Sequence, residues 1–160
     1  MFARRGYDGS SVRDITREAG ANLGAVTYHF KSKRGLYTAV LVEGITPLVD
    51  RVGLAASSPG TPLQRLDAVV EVFFAYVALN PDLPRLMMQE MAAGNVPPPE
   101  LVALIRRNAG YVAGILTAGA KDGSIRAVHP MLGAVSIVSQ PIFLNIMSPL
   151  LREVGGLDLS

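Results

Sequence analysis

The sequence predicts an all-α protein, with a small helix-turn-helix unit near the N-terminus followed by a larger helical bundle. Apolar residues recur at helical spacing along most of the chain, and strand-like alternation is almost absent. Glycine and proline separate the periodic segments into short loops. With 49% hydrophobic residues among 160, the chain can bury a sizeable core.

Most of the predicted helices have a recognisable start or end. Ser11, Ser32 and Thr61 each precede a periodic segment, where a hydroxyl oxygen accepts a free N–H group of the first turn. Thr61 is followed by proline and then by glutamine three residues on, which predicts a capping box. The approximate predicted helices are 2–5, 11–19, 23–30, 33–54, 62–79, 80–94, 97–121 and 130–151. Gly44 and Pro47 lie inside the fourth and predict a bend near Thr46.

Charge is distributed unevenly. Residues 1–35 hold seven Lys or Arg and three acids, a net charge of +4, whereas the other 125 residues carry −2. A basic segment on a near-neutral body indicates a polyanion-binding head, although chance enrichment of surface arginines explains charge alone equally well. The chain has no cysteine and two distant histidines, so we expect no metal site and no cofactor. No pattern of catalytic groups is present, and we expect no enzyme.

One uncharged stretch, residues 130–151, is long enough to cross a bilayer. Two prolines and five polar side chains interrupt it. We therefore prefer a helix buried in the body or in a subunit interface. The N-terminal segment has arginines at positions 4 and 5 and no long apolar run. We therefore expect no signal peptide and a cytoplasmic location.

The second and third helices, joined by the turn 20–22, have the spacing of a helix-turn-helix unit. At 100° per residue, Val26 and Phe30 lie about 40° apart and define the buried side of the third helix, with Leu23 close to them. Gly24, Ala25 and Tyr28 then point outward, flanked by Thr27 and His29. Small residues let the helix backbone approach base edges, and hydroxyl, imidazole and ammonium groups suit bases and phosphates. Each of these residues also has an ordinary surface interpretation.

Three segments carry a resemblance to a known family: FARRGY at 2–7, SVRDI at 11–15 and AGANLGAVTYHFKSK at 19–33. Together they resemble the DNA-binding head of the tetracycline-repressor (TetR) family over roughly residues 2–45. The resemblance implies a dimeric, ligand-responsive regulator, usually a repressor that binds a palindromic operator. The DNA contacts that it implies are Ser11, Arg13, Ala25, Thr27, Tyr28, His29 and Lys33.

This sequence departs from the family pattern at three positions. Leu23 stands where a polar residue is usual, which puts base reading there in doubt. Gly35 replaces a common acid, and we expect a weaker cap on the fourth helix. Thr16 replaces alanine and changes core polarity slightly. We also expect most of the first helix and a final C-terminal helix to lie outside this sequence.

The body contains flexible and aromatic apolar residues that suit a wall around an apolar or aromatic small molecule, although an ordinary helical core explains each of them as well. The predicted effector-binding residues are Phe73, Tyr76, Val77, Met87, Met91, Asn108, Tyr111 and Ile115. The predicted domains are therefore a DNA-binding head, 1–45, and a ligand-binding and dimerisation body, 46–160.

A homodimer formed by the helices that end near Lys121 and Leu151 would cover the uncharged face of the last one, which includes Leu132, Val135, Ile142, Phe143 and Ile146. An effector would then swing the two heads apart through the fourth helix, with the bend at Gly44 and Pro47. The sequence leaves one alternative open, a helical dimeric interaction protein whose head no longer binds DNA.

Overall fold

The computed structural model describes residues 1–94 and 96–156, and this part of the chain is all helical. It contains no strand, as the sequence predicted. Its elements are α1 (Phe2–Arg5), α2 (Val12–Glu18), α3 (Leu23–Phe30), α4 (Lys33–Ala56), α5 (Pro62–Leu79), α6 (Asp82–Ala92), α7 (Pro99–Asp122) and α8 (Pro130–Gly155). The predicted bounds agree to within a few residues.

Side-chain caps determine where the helices begin. Ser11 Oγ accepts the amide of Asp14 at 3.0 Å, and Asn22 Oδ1 accepts the amide of Ala25 at 3.0 Å. At α5, Thr61 and Gln64 exchange reciprocal hydrogen bonds of 2.9 and 3.3 Å, which is the predicted capping box. These bonds join residues three apart, so local sequence suffices to place them.

The start of α4 differs from expectation at Gly35. Ser32 Oγ accepts the Gly35 amide at 3.0 Å, so the cap forms without an acid. A Cβ atom at position 35 would lie 2.1 Å from the carbonyl oxygen of Phe30. The turn between α3 and α4 also holds Lys31 at a φ of 65°, an uncommon conformation for a residue with a side chain. Glycine at 35 is therefore what allows this turn to be so tight.

Helix α4 connects the head to the body. It continues unbroken through Pro47, so the predicted boundary at 45/46 falls in the middle of one helix. The apolar cluster around it contains residues of both predicted domains: Phe2, Leu36, Tyr37, Leu41, Ile45, Val49, Leu86 and Leu101. Head and body therefore share a core along α1, α4 and α6.

A second apolar cluster fills the body between α4, α5, α7 and α8. Its buried members are Leu48, Val52, Val69, Phe73, Tyr76, Val112, Ile115, Leu116 and Ala134. Small residues let α7 and α8 approach closely, since a Cβ at Gly133 would lie 2.6 Å from Leu116 Cδ1. This core supports the second half of α4 through Leu48 and Val52.

Helix α8 covers the body but is itself poorly covered. By length and composition alone, Pro130–Gly155 could cross a membrane, and only 11% of its most apolar 18-residue segment is buried. Leu132, Val135 and Phe143 are 58–67% exposed, while Ile142 and Ile146 are half-buried. The expectation of burial inside the body is therefore wrong for this face, because α8 packs on α5 and α7 from one side only.

Candidate nucleic-acid interface

Helix α3 presents most of its surface to solvent. Gly24, Ala25, Thr27, Tyr28 and His29 are exposed, and only Val26 and Phe30 are half-buried. The outward face predicted from helical angles is thus present. Leu23 is the exception, since it is 37% exposed rather than on the buried side. It begins the helix directly after a turn whose residues 19–22 are all exposed.

The aromatic residues of α3 differ in their surroundings. Tyr28 is 78% exposed, and the ammonium of Lys31 lies 4.4 Å from its ring centroid. The His29 ring contacts Phe30 edge-on, with a centroid separation of 4.8 Å. The structure therefore aims a phenol, an imidazole and a lysine outward from one end of α3, and the small surface of Gly24 and Ala25 lies at the other end.

Two of the three acids in residues 1–35 are neutralised by groups of the head itself. Asp14 accepts a hydrogen bond from Ser11 Oγ at 2.6 Å and pairs with Arg17. The Ser11 hydroxyl, and then the Arg17 guanidinium, hold the pKa of the Asp14 carboxyl below its usual value. Glu18 pairs with Arg4 at 2.6 Å. The carboxylates on α2 thus offset the charges of Arg4 and Arg17 and pair with no other cation of the head.

The remaining head cations make no ion pair within the described residues. They are Arg5, Arg13, Lys31 and Lys33. Arg13 is exposed on α2, whereas Lys33 is half-buried. The Lys33 ammonium lies 4.3 Å from the Tyr7 ring centroid and donates a long hydrogen bond of 3.5 Å to the Asp8 carbonyl. Both lysines beside α3 and α4 are held by aromatic rings, with their charges left for a phosphate.

Ser11 has a structural use in addition to its predicted contact. Its hydroxyl donates to the Asp14 carboxylate while its oxygen accepts the Asp14 amide. The side chain can therefore approach a phosphate only by exchanging one of these bonds.

The predicted effector residues do not gather around one cavity. Phe73, Tyr76, Val77 and Ile115 are buried, and the Tyr76 hydroxyl donates to the Gly44 carbonyl at 2.6 Å. Tyr111 lies against α4, close enough that a Cβ at Gly53 would be 3.0 Å from its hydroxyl oxygen. Met87 is half-buried beside the shared head–body core. Met91 is 63% exposed on α6 and stands apart from the others.

Asn108 is the polar group best suited to a ligand. It is 8% exposed on α7, and its Oδ1 atom is buried without a hydrogen-bond partner in the described part of the chain. Asn145 Oδ1 on α8 is in the same condition. A buried amide oxygen without a donor is unfavourable, so each could accept a donor from a bound molecule.

Two clefts open on the described surface. One of about 830 Å³ lies between head and body, lined by Arg5, Tyr7, Arg34, Gln89 and Glu90 among others. A smaller one of about 210 Å³ lies where α4 ends, beside Arg65 of α5 and Gly114 of α7. The described residues contain no group of three or more His, Asp or Glu side chains that could hold a metal ion.

Sequence reasoning missed the two charged residues at the head–body junction, Arg34 and Glu90. Glu90 is 3% exposed and pairs with Arg34 across 56 positions of sequence. A signal did exist, because Glu90 follows Leu83 by seven residues and Leu86 by four, and so continues the apolar stripe of α6. A carboxylate on such a stripe needs a cation from another element.

Helix α3 is exposed, is flanked by cations, and is held in place by α2 and a tight turn. This arrangement defines the class of helix-turn-helix proteins. Residues 1–40 match the family model described as bacterial regulatory proteins, tetR family. The head of this chain is therefore similar, over these 40 residues, to the heads of that family.

The similar proteins extend the comparison to the body. The chain is 36% identical over 77 residues to the HTH-type transcriptional activator FasR of Mycolicibacterium smegmatis, covering 48% of this chain and 35% of FasR. It resembles the fold of the regulator FadR from Bacillus subtilis in complex with stearoyl-CoA, with a TM-score of 0.82, 21% identity and coverage of 99% and 85%. It also resembles AibR in complex with isovaleryl coenzyme A and operator DNA, with a TM-score of 0.74, 18% identity and coverage of 91% and 80%. The chain spans 35–66% of the length of the curated relatives that it matches.

Proposed function

We propose that this protein is a ligand-responsive transcription regulator that binds a palindromic operator as a homodimer and represses until an effector releases it. The observation that carries the proposal is the solvent-exposed face of α3, flanked by cations without carboxylate partners. The acids of α2 are neutralised internally, so the remaining positive charge is available to a polyanion. Such a protein works in the cytoplasm, beside the DNA, and is not an enzyme.

The head residues divide by the part of DNA that they reach. Ala25 and Thr27 lie on the exposed face of α3 and would meet base edges, where the threonine methyl suits thymine. Tyr28, His29 and Lys33 have donors for phosphate oxygens, as has Arg13 on α2. Ser11 would contribute from the first turn of α2 once its hydroxyl leaves Asp14.

The effector that we propose is an acyl thioester of coenzyme A. FadR and AibR, whose folds this chain shares, are described in complex with such molecules. An acyl chain matches the apolar body, and the amide N–H groups of the pantetheine arm match the partnerless Oδ1 of Asn108. The predicted wall, from Phe73 to Ile115, would have to open around the chain, since several of its members are packed into the core.

Dimerisation through α8 explains its composition. Leu132, Val135 and Phe143 form an uncharged, exposed face on an otherwise ordinary globular surface. A second copy would bury this face and place two heads on one operator. The domains in this proposal remain a head, 1–45, and a body, 46–160, whose last four residues lie outside the described chain.

Fluorescence anisotropy with labelled DNA from upstream of the protein's own coding region tests the DNA-binding proposal. We expect the logarithm of affinity to fall steeply and linearly with the logarithm of salt concentration. Arg13→Ala should weaken binding and reduce the salt slope by about one. Arg106→Ala, which removes an exposed arginine from α7 in the body, is the matched control and should change neither. Absent or salt-insensitive binding would favour the interaction-protein alternative.

Thermal unfolding with stearoyl-CoA tests the effector. A ligand that binds only the folded state raises Tm, and above Kd the rise grows with the logarithm of ligand concentration, whereas free coenzyme A and stearate should raise it less. Asn108→Leu should reduce the shift, because the amide oxygen no longer accepts a donor. If stearoyl-CoA neither raises Tm nor releases DNA, the acyl thioester assignment is wrong and the DNA-binding proposal is unaffected.

A further inference from the structure

Among the Asp, Glu, Lys, Arg and His side chains of residues 1–94 and 96–156, only Glu90 is buried. It lies near the C-terminal end of α6, in the body, and its ion-pair partner is Arg34 in the first turn of α4, in the head. A buried carboxylate without a partner is strongly unfavourable, so this pair restricts how α6 and the head can lie relative to each other.

Aromatic rings surround the pair. The Arg34 guanidinium lies 5.7 Å from the ring centroids of both Tyr7 and Tyr37. Tyr37 is buried, packs edge-on against Tyr7 at 5.1 Å and donates a hydrogen bond of 3.3 Å from its hydroxyl to the Leu86 carbonyl on α6. Two polar links therefore join the start of α4 to α6; Glu90 and Tyr37 are buried, whereas the Arg34 side chain is 35% exposed.

The pair is one residue away from a predicted DNA contact. Lys33 precedes Arg34, and the two cations contact the same ring, at 4.3 Å and 5.7 Å from the Tyr7 centroid. The tight turn through Gly35 and Phe30 connects this point to α3. A shift of α6 that carries Glu90 would therefore carry Arg34, Lys33 and the end of α3 with it.

We propose that Glu90 is a positioning residue for DNA binding: through its ion pair with Arg34, it holds the head at the angle to the body that the operator requires. This inference rests on the proposed function as a DNA-binding regulator. Neither Arg34 nor Glu90 is among the residues that we expect to touch bases.

The test is the operator affinity of Glu90→Gln, measured by anisotropy against operator and unrelated DNA. Removing a negative charge should by electrostatics alone strengthen binding to DNA. If Glu90 positions the head, the opposite is expected of Glu90→Gln. Its operator affinity falls about tenfold, while its affinity for unrelated DNA and the salt slope of its binding do not fall. Asp50→Asn is the matched control, because it also removes one negative charge and Asp50 pairs with Arg107 where both side chains are exposed, and its operator affinity should not fall.

A double variant protects the test against misfolding. Arg34→Leu with Glu90→Met removes both charges, so no buried charge is left without a partner, and the variant should stay folded. We expect the same tenfold loss of operator affinity, with the salt slope unchanged. A slope that falls by about one would instead show that Arg34 itself contacts a phosphate, and that would overturn the proposal.

Hydrogen exchange separates this inference from the proposed function. If the unaltered protein binds no DNA, the regulator proposal fails, and positioning is then judged on amide exchange in Glu90→Gln. We expect faster exchange in residues 33–41 and unchanged exchange in α7. Unchanged exchange in both segments, or an operator affinity equal to or above that of the unaltered protein, overturns the role of Glu90.

Discussion

The hydroxyl of Tyr76 on α5 donates a hydrogen bond of 2.6 Å to the main-chain carbonyl of Gly44 on α4. Three residues further along α4, Pro47 has no N–H to donate to the preceding turn. The start of α6 reaches the same point, since a Cβ at Gly44 would lie 3.0 Å from Leu83 Cδ1. The segment that we expect to bend is therefore held by both α5 and α6.

Tyr76→Phe should lower the free energy of unfolding by about 1 kcal/mol, because one buried hydrogen bond is lost while the ring still packs. Urea denaturation measures the change. Tyr111→Phe is the control, because its hydroxyl makes no hydrogen bond within the described residues and the loss should be smaller. Equal losses in the two variants would mean that the hydrogen bond from Tyr76 to the Gly44 carbonyl does not stabilise the folded protein.

Gly35→Ala should destabilise the protein by roughly 1–3 kcal/mol, against the usual preference for alanine in helices. The added methyl group would meet the Phe30 carbonyl oxygen, so the turn between α3 and α4 must open. Operator affinity should fall as well, because α3 shifts. Gly110→Ala on α7 is the matched control: nothing lies within 4 Å of its Cβ position, and we expect a gain of about 0.5–1 kcal/mol. If both substitutions stabilise, the close contact at Gly35 is not present in solution.

The unfolding free energy should decrease at alkaline pH through Tyr37. Burial is the main cause that raises the pKa of its hydroxyl, and the nearby Glu90 carboxylate raises that pKa further. The unfolded tyrosine releases its proton near pH 10, whereas the folded one keeps it, so stability falls as pH rises above about 10. Tyr37→Phe should flatten this fall in urea titrations between pH 8 and 11. Tyr28→Phe alters an exposed ring and should leave the alkaline fall in stability unchanged. Identical pH profiles of stability for the two variants would contradict the assignment of this fall to Tyr37.

Phe143→Glu should convert the dimer to a monomer, because it places a charge on the exposed face of α8 that we expect to be buried between two copies. Light scattering after size-exclusion chromatography measures the mass. Leu79→Glu alters a residue that is 74% exposed on α5, and it should leave the dimer intact. A Phe143→Glu protein that remains dimeric would place the interface elsewhere.

The number of helices, most of their starts and the helix-turn-helix head could be predicted from the sequence. Caps such as Ser11 and Thr61 act on amides three residues away, and apolar spacing reports the buried face of each helix. The excess of cations in residues 1–35 is likewise visible without a fold. Within the candidate interface, the exposed face of α3 was predicted residue by residue except at Leu23, which is 37% exposed beside a turn that is itself exposed.

Only the tertiary structure decided which long-range partners meet. The pairing of Arg34 with Glu90, the contact of Phe30 with Gly35 across a turn and the hydrogen bond from Tyr76 to Gly44 depend on how helices are placed against each other. Met91 is a residue type that suits an apolar pocket, yet its side chain is exposed, because it lies on the solvent-facing side of α6. Local sequence thus determined the helices and their charge, since capping and periodicity act within one or two turns. The packing of distant helices decided the junction between head and body, since burial and ion pairing arise only when those helices meet.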